Sequence, residues 1–500
     1  MRNPIISKRG ALVLSLSLLN CTVGVRSSFA AEPGNYFTDV TRETGVAQLL
    51  DDKYKADPKW WLSGVDLVDL DGDGHLDLFL GSHGGGKALA ALHDGHGRFV
   101  RAEGNYPDRE IYLAADINED GKIDLLVTHN DGAGRWWINH SEKGQLAFVK
   151  TEVGADRSRA NAWIDLDRNG RVDWLHENDK GIAFEKGDGK GAFFEGKGID
   201  IAKLKNEINM IPVDLNGDGF IDLVVHWGRY EFEKGKSRIY LNDGKGNFAD
   251  ATKECGLTEE GLAIKGVGDL NQDGFTDLMV LENKRPAIYL NDGHGKFTKK
   301  TDALAGMESA HMPSYVSWGM AVVTDFDNDG VPDILWNGRN FLWALHGLGD
   351  GKFEYINKKW GIDDTASATV DDGLCFGDFD NDGDLDIIGY TGNIDGNRRL
   401  KVYRNDIAGP NYLNIRLTGA DGNRNAAGAK IRASENGKLL WYEQVLIVGS
   451  QSAHSYYITP TTERHIGLGK RTAADVSVEF YPSGKKVEAK GVSGVVELKE

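Results

Sequence analysis

The stretch Asp378-Phe379-Asp380-Asn381-Asp382-Gly383-Asp384-Leu385-Asp386 places carboxylates at positions 1, 3, 5 and 9 around a glycine at position 6. Such alternation gathers hard oxygen donors about one point, position 7 can add its backbone carbonyl, and the glycine permits the sharp turn. The set suits Ca²⁺, which accepts many oxygens in a flexible shell; Mg²⁺ prefers fewer protein ligands and more water. A helix-loop-helix site would need a glutamate at position 12, where this chain has Gly389 behind the apolar pair Ile387-Ile388. The loop is therefore expected to join two strands.

The same nine-residue pattern occurs seven times. Its candidate metal ligands, in order of position 1, 3, 5, 7 and 9, are Asp69, Asp71, Asp73, His75 and Asp77 in the first copy, and Asp116, Asn118, Asp120, Lys122 and Asp124 in the second. The third has Asp165, Asp167, Asn169, Arg171 and Asp173; the fourth, Asp214, Asn216, Asp218, Phe220 and Asp222; the fifth, Asp269, Asn271, Asp273, Phe275 and Asp277. Asp325, Asp327, Asp329, Val331 and Asp333 form the sixth, and Asp378, Asp380, Asp382, Asp384 and Asp386 the seventh. About seven structural Ca²⁺ are expected. The third copy departs furthest, because Arg168 intrudes and Asn169 replaces an aspartate.

Successive copies start 47, 49, 49, 55, 56 and 53 residues apart, a period that marks a propeller or a solenoid. Apolar residues lead into each loop, as in Trp163-Ile164, and follow it, as in Leu223-Val224-Val225. A third strand then ends in an Asn-Asp-Gly turn at Tyr240-Leu241-Asn242-Asp243-Gly244, and a fourth begins at Gly246-Asn247-Phe248. Four strands per repeat make a propeller blade. The seventh repeat lacks a Gly-x-Phe fourth strand, while Asn35-Tyr36-Phe37-Thr38-Asp39-Val40-Thr41 reads like Gly246-Asn247-Phe248-Ala249-Asp250-Ala251-Thr252. The N-terminal strand is expected to complete the last blade and close the ring. The expected fold class is all-β: a seven-bladed β-propeller over residues 31–406, then a small β-domain over 407–500 with alternating runs such as Val476-Ser477-Val478-Glu479-Phe480.

The chain of 500 residues carries a net charge of -18 and 64 glycines, consistent with many tight turns. A net negative charge disfavours nucleic acid. Residues 1–30 read as a signal peptide, with Arg2, Lys8 and Arg9 ahead of the apolar stretch Ala11 to Val25, and Ser28-Phe29-Ala30 at the cleavage site. Its removal takes four basic residues and shifts the charge to -22. Export to the periplasm, cell surface or medium is expected, whereas Asn20 disfavours lipid anchoring at Cys21. No later stretch is long and apolar enough to span a bilayer. Cys255 and Cys375, far apart in sequence, are expected to be buried thiols.

These repeats resemble the FG-GAP/VCBS family found in integrin α-subunit propellers and secreted bacterial proteins. The tail resembles the ASPIC/UnbV domain through Asn411-Tyr412-Leu413-Asn414-Ile415-Arg416-Leu417, Asn423-Arg424-Asn425-Ala426-Ala427-Gly428-Ala429, His465-Ile466-Gly467-Leu468-Gly469 and Phe480-Tyr481-Pro482-Ser483-Gly484. Two departures are Ile466, where an aromatic is usual, and Tyr481, where Trp is usual. The propeller-plus-tail order is similar to the cartilage acidic protein family. The resemblance implies an extracellular calcium-binding protein of the adhesion or binding sort.

If the calcium loops mark one face of the propeller, the opposite mouth gathers polar and aromatic residues suited to a carbohydrate or an extracellular protein ligand. His83, Arg109, His129, Arg159, His226 and Trp318 are the candidates. Trp163, Trp174 and Trp318 flank strands and equally suit the core. The alternative function is a polysaccharide-active, lyase-type enzyme, in which Arg109 or Arg159 would neutralise a uronate and His129, His226 or Tyr112 would move the proton. No compact motif supports catalysis: nucleophile elbow, HExxH site and Walker loop are all absent.

Overall fold

The computed structural model describes residues 36–82, 86–128, 134–155, 160–178, 181–195, 199, 208–227, 236–257, 262–282, 285–304, 307, 321–338, 341–362, 374–394, 397–407, 411–450 and 463–500. The signal segment, with Cys21, lies outside them.

Each acidic loop joins two antiparallel strands. In the first unit, Leu62–Val68 pairs with Asp77–Ser82, which pairs with Leu89–His93 and then Phe99–Arg101. Among the described residues this four-strand order recurs for every loop, and the fourth and fifth units share one sheet through Lys236 and Leu262. In the unit built on Leu374–Gly377, the fourth strand is Phe37–Asp39, with Phe37 opposite Asn405 and Asp39 opposite Tyr403. The first strand among the described residues therefore finishes the sheet of the seventh loop, as its sequence likeness to a fourth strand foretold.

The first strands are buried along their length, as Leu62–Val68 shows even at Ser63 and Asp66. They can be so because each lies between two neighbours. Leu62–Val68 packs against Leu374–Gly377 on one side and Glu110–Ala115 on the other; Ala160–Ile164 packs between Glu110–Ala115 and Ile208–Val213. Leu262–Gly268 packs on Ala321–Thr324, and the Phe326 and Phe376 rings meet at 5.7 Å between the sixth and seventh units. The fold is an all-β propeller.

Side chains wedge between units. Trp136, Trp163, Trp174 and Phe193 form one aromatic cluster with centroids 5.6–6.2 Å apart, so these tryptophans are core residues. Cys255 and Cys375 are free and buried. A helix, Val46–Ala56, was not legible beforehand; it buries Val46, Leu50 and Tyr54 beside Cys375 and Leu400.

The tail forms two small sheets. Tyr412–Thr418 lies between Glu463–Gly467 and Gly494–Lys499, while Lys438–Gln444, Lys430–Glu435, Ala474–Glu479 and Lys486–Val492 make the other. Alternation within Ala474–Glu479 sends Val476 and Val478 inward onto Leu413, Ile415 and Ile431. One tail strand, Val448–Ser450, leaves both sheets and pairs with Ala160–Ile164, the first strand of the third unit.

Candidate metal loops and the tail interface

All seven loops share one wiring. The position-2 amide donates to Oδ2 of the position-9 aspartate at 2.8–3.0 Å in every copy, from Leu70 on Asp77 to Phe379 on Asp386. The position-6 glycine amide donates to Oδ2 of the position-1 aspartate at 2.8–3.0 Å in every copy. Position 4 takes a left-handed backbone throughout: Gly72 and Gly217 have φ of 77° and 74°, and Glu119, Arg168, Gln272, Asn328 and Asn381 lie between 57° and 61°. That turn aims positions 1, 3 and 5 inward while the position-4 side chain leaves the loop.

The position-9 aspartates are buried. In six copies a third-strand amide donates to their Oδ1: His93, Asn139, Asn242, Asn291, Gly347 and Asn405, at 2.8–2.9 Å. In the third copy Asp173 Oδ1 is buried with no hydrogen bond among the described residues. Burial outweighs these hydrogen bonds and pushes Asp124, Asp173 and Asp222 up to about 7 and Asp77 and Asp277 up to about 8. Neighbouring carboxylates push the same way. Asp69, Asp71 and Asp77 bring one oxygen each within 4.8 Å of one another, as do Asp165, Asp167 and Asp173; Asp325, Asp327 and Asp333; and Asp378, Asp380 and Asp386. In the second, fourth and fifth loops, Asn118, Asn216 and Asn271 stand at position 3, and their Oδ1 accepts the position-5 amide as Asp Oδ1 does elsewhere. Buried, converging carboxylates with few positive partners fit a hard dication.

The third-strand asparagine, read from sequence as part of a turn, also staples adjacent units. Asn139 Nδ2 donates to Leu70 O at 3.1 Å, Asn291 Nδ2 to Leu215 O at 2.8 Å, and Asn405 Nδ2 to Phe326 O at 2.7 Å, each carbonyl lying in the preceding loop.

The tail docks on this loop face, largely through position 4. Gly422 N donates to Glu119 Oε1, and Arg168 Nη2 donates to Pro482 O at 3.1 Å. Gln272 Nε2 donates to Leu440 O, and Asn328 Oδ1 meets His465 Nε2 at 2.6 Å. Arg168 therefore leaves the third loop, resting on the Phe220 and Tyr481 rings. Two tail amides also grip position-1 backbone: Asn425 accepts from Asp116 N and donates to Asp116 O, and Gln444 accepts from Asp214 N. Lys430, opposite Gln444 in its hairpin, places Nζ on the Asp214 carboxylate. A cavity of about 510 Å³ remains between tail and propeller; Asp69, Asp116, Asp269 and Asp378 line it with tail residues Arg416, Arg464 and His465.

Among the candidate ligand-binding residues, Arg109 is half-buried and donates to Gly86 O at 3.3 Å. His226 is buried, with Nδ1 3.0 Å from Ser237 Oγ; burial, then nearby Lys265, holds its pKa well below the usual histidine value. Its imidazole faces Ser237 and not solvent. His83, His129, Arg159 and Trp318 lie outside the described residues.

Residues 116–176, 269–336 and 325–389 match the FG-GAP-like repeat. The chain is 25% identical to human cartilage acidic protein 1, covering 98% of this chain and 78% of that protein. It is 38% identical to rat integrin alpha-7 over 14% of this chain and 7% of the integrin. Among solved structures, a lectin of Agrocybe aegerita, described as recognising non-reducing terminal N-acetylglucosamine, superposes with a TM-score of 0.44 at 19% identity, covering 70% of this chain and 91% of the lectin. No helix among the described residues is long and apolar enough to cross a membrane. The chain carries FG-GAP-like repeats on a propeller fold.

Proposed function

We propose that this chain is an exported binding module: a seven-bladed propeller over residues 31–406, braced by about seven Ca²⁺, with an ASPIC/UnbV-like tail over 407–500, that binds a carbohydrate or an extracellular protein. The observation that carries the calcium reading is the pair of amide bonds, from position 2 to the position-9 carboxylate and from position 6 to the position-1 carboxylate, that recurs in all seven copies. Such groups repel unless a cation joins them, so metal here acts first on folding. The ions supply charge neutralisation; the chain's own amides orient the oxygens.

The tail occupies the loop face, which leaves the opposite mouth, where Arg109 lies, as the site for a partner. The lyase alternative is weakened by its own described residues. Tyr112 is fully buried with its hydroxyl 3.0 Å from Glu110 Oε2, and His226 is buried against Ser237. Neither meets a polymer in this state.

The test is elemental analysis of the purified mature chain, thermal unfolding before and after chelation, and retention on immobilised glycans and extracellular proteins with chelator elution. Calcium near seven per chain, a large fall in Tm and chelator-sensitive retention are expected. An unchanged Tm with no bound ion would remove the proposal.

A further inference from the structure

The sixth loop differs from the others in what its third strand turns toward it. The position just before the amide that bonds the position-9 carboxylate is Leu92, Ile138, Leu241 and Leu290 in the first, second, fourth and fifth units. In the third and seventh units the matching residues are the permanent cations Lys186, bonded to Asp167, and Arg404, paired with Asp406 at 2.7 Å. In the sixth it is His346, whose Nδ1 lies 3.2 Å from Asp327 Oδ2 and 3.2 Å from Asp333 Oδ1. Donors at tetrahedral angles about 2.1 Å from one ion sit about 3.4 Å apart, so these contacts, hydrogen bonds without an ion, are also within reach of a shared coordination shell. Asp327, Asp329 and His346 bring donor atoms within 4.8 Å of one another, and Asp325, Asp327 and Asp333 do likewise, with Asp327 common to both sets. The buried Trp360 ring packs edge-on to the imidazole at 6.0 Å and holds its direction.

We propose that the sixth loop is a mixed nitrogen–oxygen site that takes a zinc-class dication through His346 Nδ1 together with the carboxylates of Asp327, Asp329 and Asp333, where the other loops take calcium. It rests on the reading that these loops hold cations. Oxygen donors alone favour calcium, whereas a neutral imidazole shifts preference to zinc, cobalt and nickel. Lysine and arginine at the matching position cannot ligate; histidine can, by giving up its proton as the ion binds.

The test uses the full mature chain, stripped with chelator and dialysed against Co²⁺ in large excess of Ca²⁺, with both metals counted by mass spectrometry. One cobalt per chain is expected. His346→Leu, the residue at the matching place in three other units, keeps its calcium and loses the cobalt, and Co²⁺ quenching of Trp360 fluorescence disappears with it. No cobalt on the wild-type chain, or equal cobalt on the variant, overturns the proposal. Should the leucine variant misfold, the wild-type chain labelled with ¹⁵N-histidine and loaded with one Cu²⁺ decides by pulsed electron paramagnetic resonance: a coupled imidazole nitrogen supports the site, and its absence refutes it. Cobalt held by His346 with no calcium elsewhere would remove the calcium reading alone; calcium retained without cobalt would remove this one alone.

Discussion

His465 of the tail and Asn328 of the sixth loop meet at 2.6 Å, and Asn328 passes the contact on through its Nδ2 to Asp384 in the seventh loop, also at 2.6 Å. One imidazole thus ties the tail to two adjacent loops. Burial drives the His465 pKa down to about 3, so the ring is neutral in the folded chain, with Nε2 on Asn328 Oδ1 and Nδ1 2.8 Å from Asn414 Oδ1. A histidine whose folded pKa lies below its unfolded value stabilises the fold above about pH 6.5 and loses that contribution as pH falls toward 3. His465→Gln is expected to flatten this part of the acid-unfolding curve, and His465→Ala to cost about 1–3 kcal/mol by stranding buried polar groups. Urea unfolding measured across pH checks both.

The loop carboxylates give the opposite slope when metal is absent. Asp124, Asp173 and Asp222 are pushed up to about 7, above the ordinary carboxylate value near 4. The folded metal-free chain therefore holds protons that the unfolded chain has released, and it loses stability as pH rises from about 4 through 7. Several such groups outweigh the single His465. In chelator, Tm is expected to be higher near pH 5 than near pH 8. With about 1 mM Ca²⁺ the order reverses, because the ion replaces those protons. At a Kd of about 10⁻⁴ M each site contributes about 1.4 kcal/mol, and seven on the order of 10 kcal/mol.

The left-handed backbone at position 4 can be separated from the side chain it carries. Gln272, with φ of 60°, donates to Gly330 O at 2.8 Å and to Leu440 O. Gln272→Val strains the turn and loses both bonds, for an expected cost of about 2–4 kcal/mol. Gln272→Gly loses the bonds but relaxes the turn, so it falls well short of that. Urea unfolding of the three proteins in calcium measures the difference, and similar losses in both variants would count against backbone strain.

Asn291 is the clearest inter-unit staple. Its Nδ2 serves the carbonyls of Leu215 and Thr276, while its Oδ1 accepts the amides of Gly293 and Gly295, all at buried positions. Asn291→Ala is expected to cost about 2–4 kcal/mol through unmade buried bonds. Asn291→Asp keeps the acceptor, loses the donor and sets a carboxylate beside Asp277, so it is expected to be at least as damaging. Thermal unfolding at saturating calcium checks both.

Positions 1, 3, 5, 6 and 9 of the loops were legible because their chemistry lives in residue identity: carboxylates gather, and glycine turns. Position 4 was not. Glu119, Arg168, Gln272 and Asn328 range from an acid through a base to two amides, and only their backbone conformation and their place under the tail unite them. Arg168 read as an intruder because sequence shows its charge but not its direction. The asparagine closing the third strand of the fifth and seventh units read as a turn former, since its second role crosses to a loop more than seventy residues away, as from Asn291 to Leu215. Tail docking was illegible for the same reason: Asn425 and Asp116 follow no period that would bring them together. His346 differs from its counterparts by one residue in a strand, and only the placement of its ring beside Asp327 and Asp333 sets it apart.

Phe37 opposite Asn405 has a consequence for biogenesis. Most blades can assemble from contiguous chain as it emerges, but the circle has no clasp until both extremities of the propeller are present. Until then, the free backbone edge of Asn397–Asn405 is open to any extended peptide nearby, a hazard that a holding chaperone, or rapid ion capture by the later loops, would shorten.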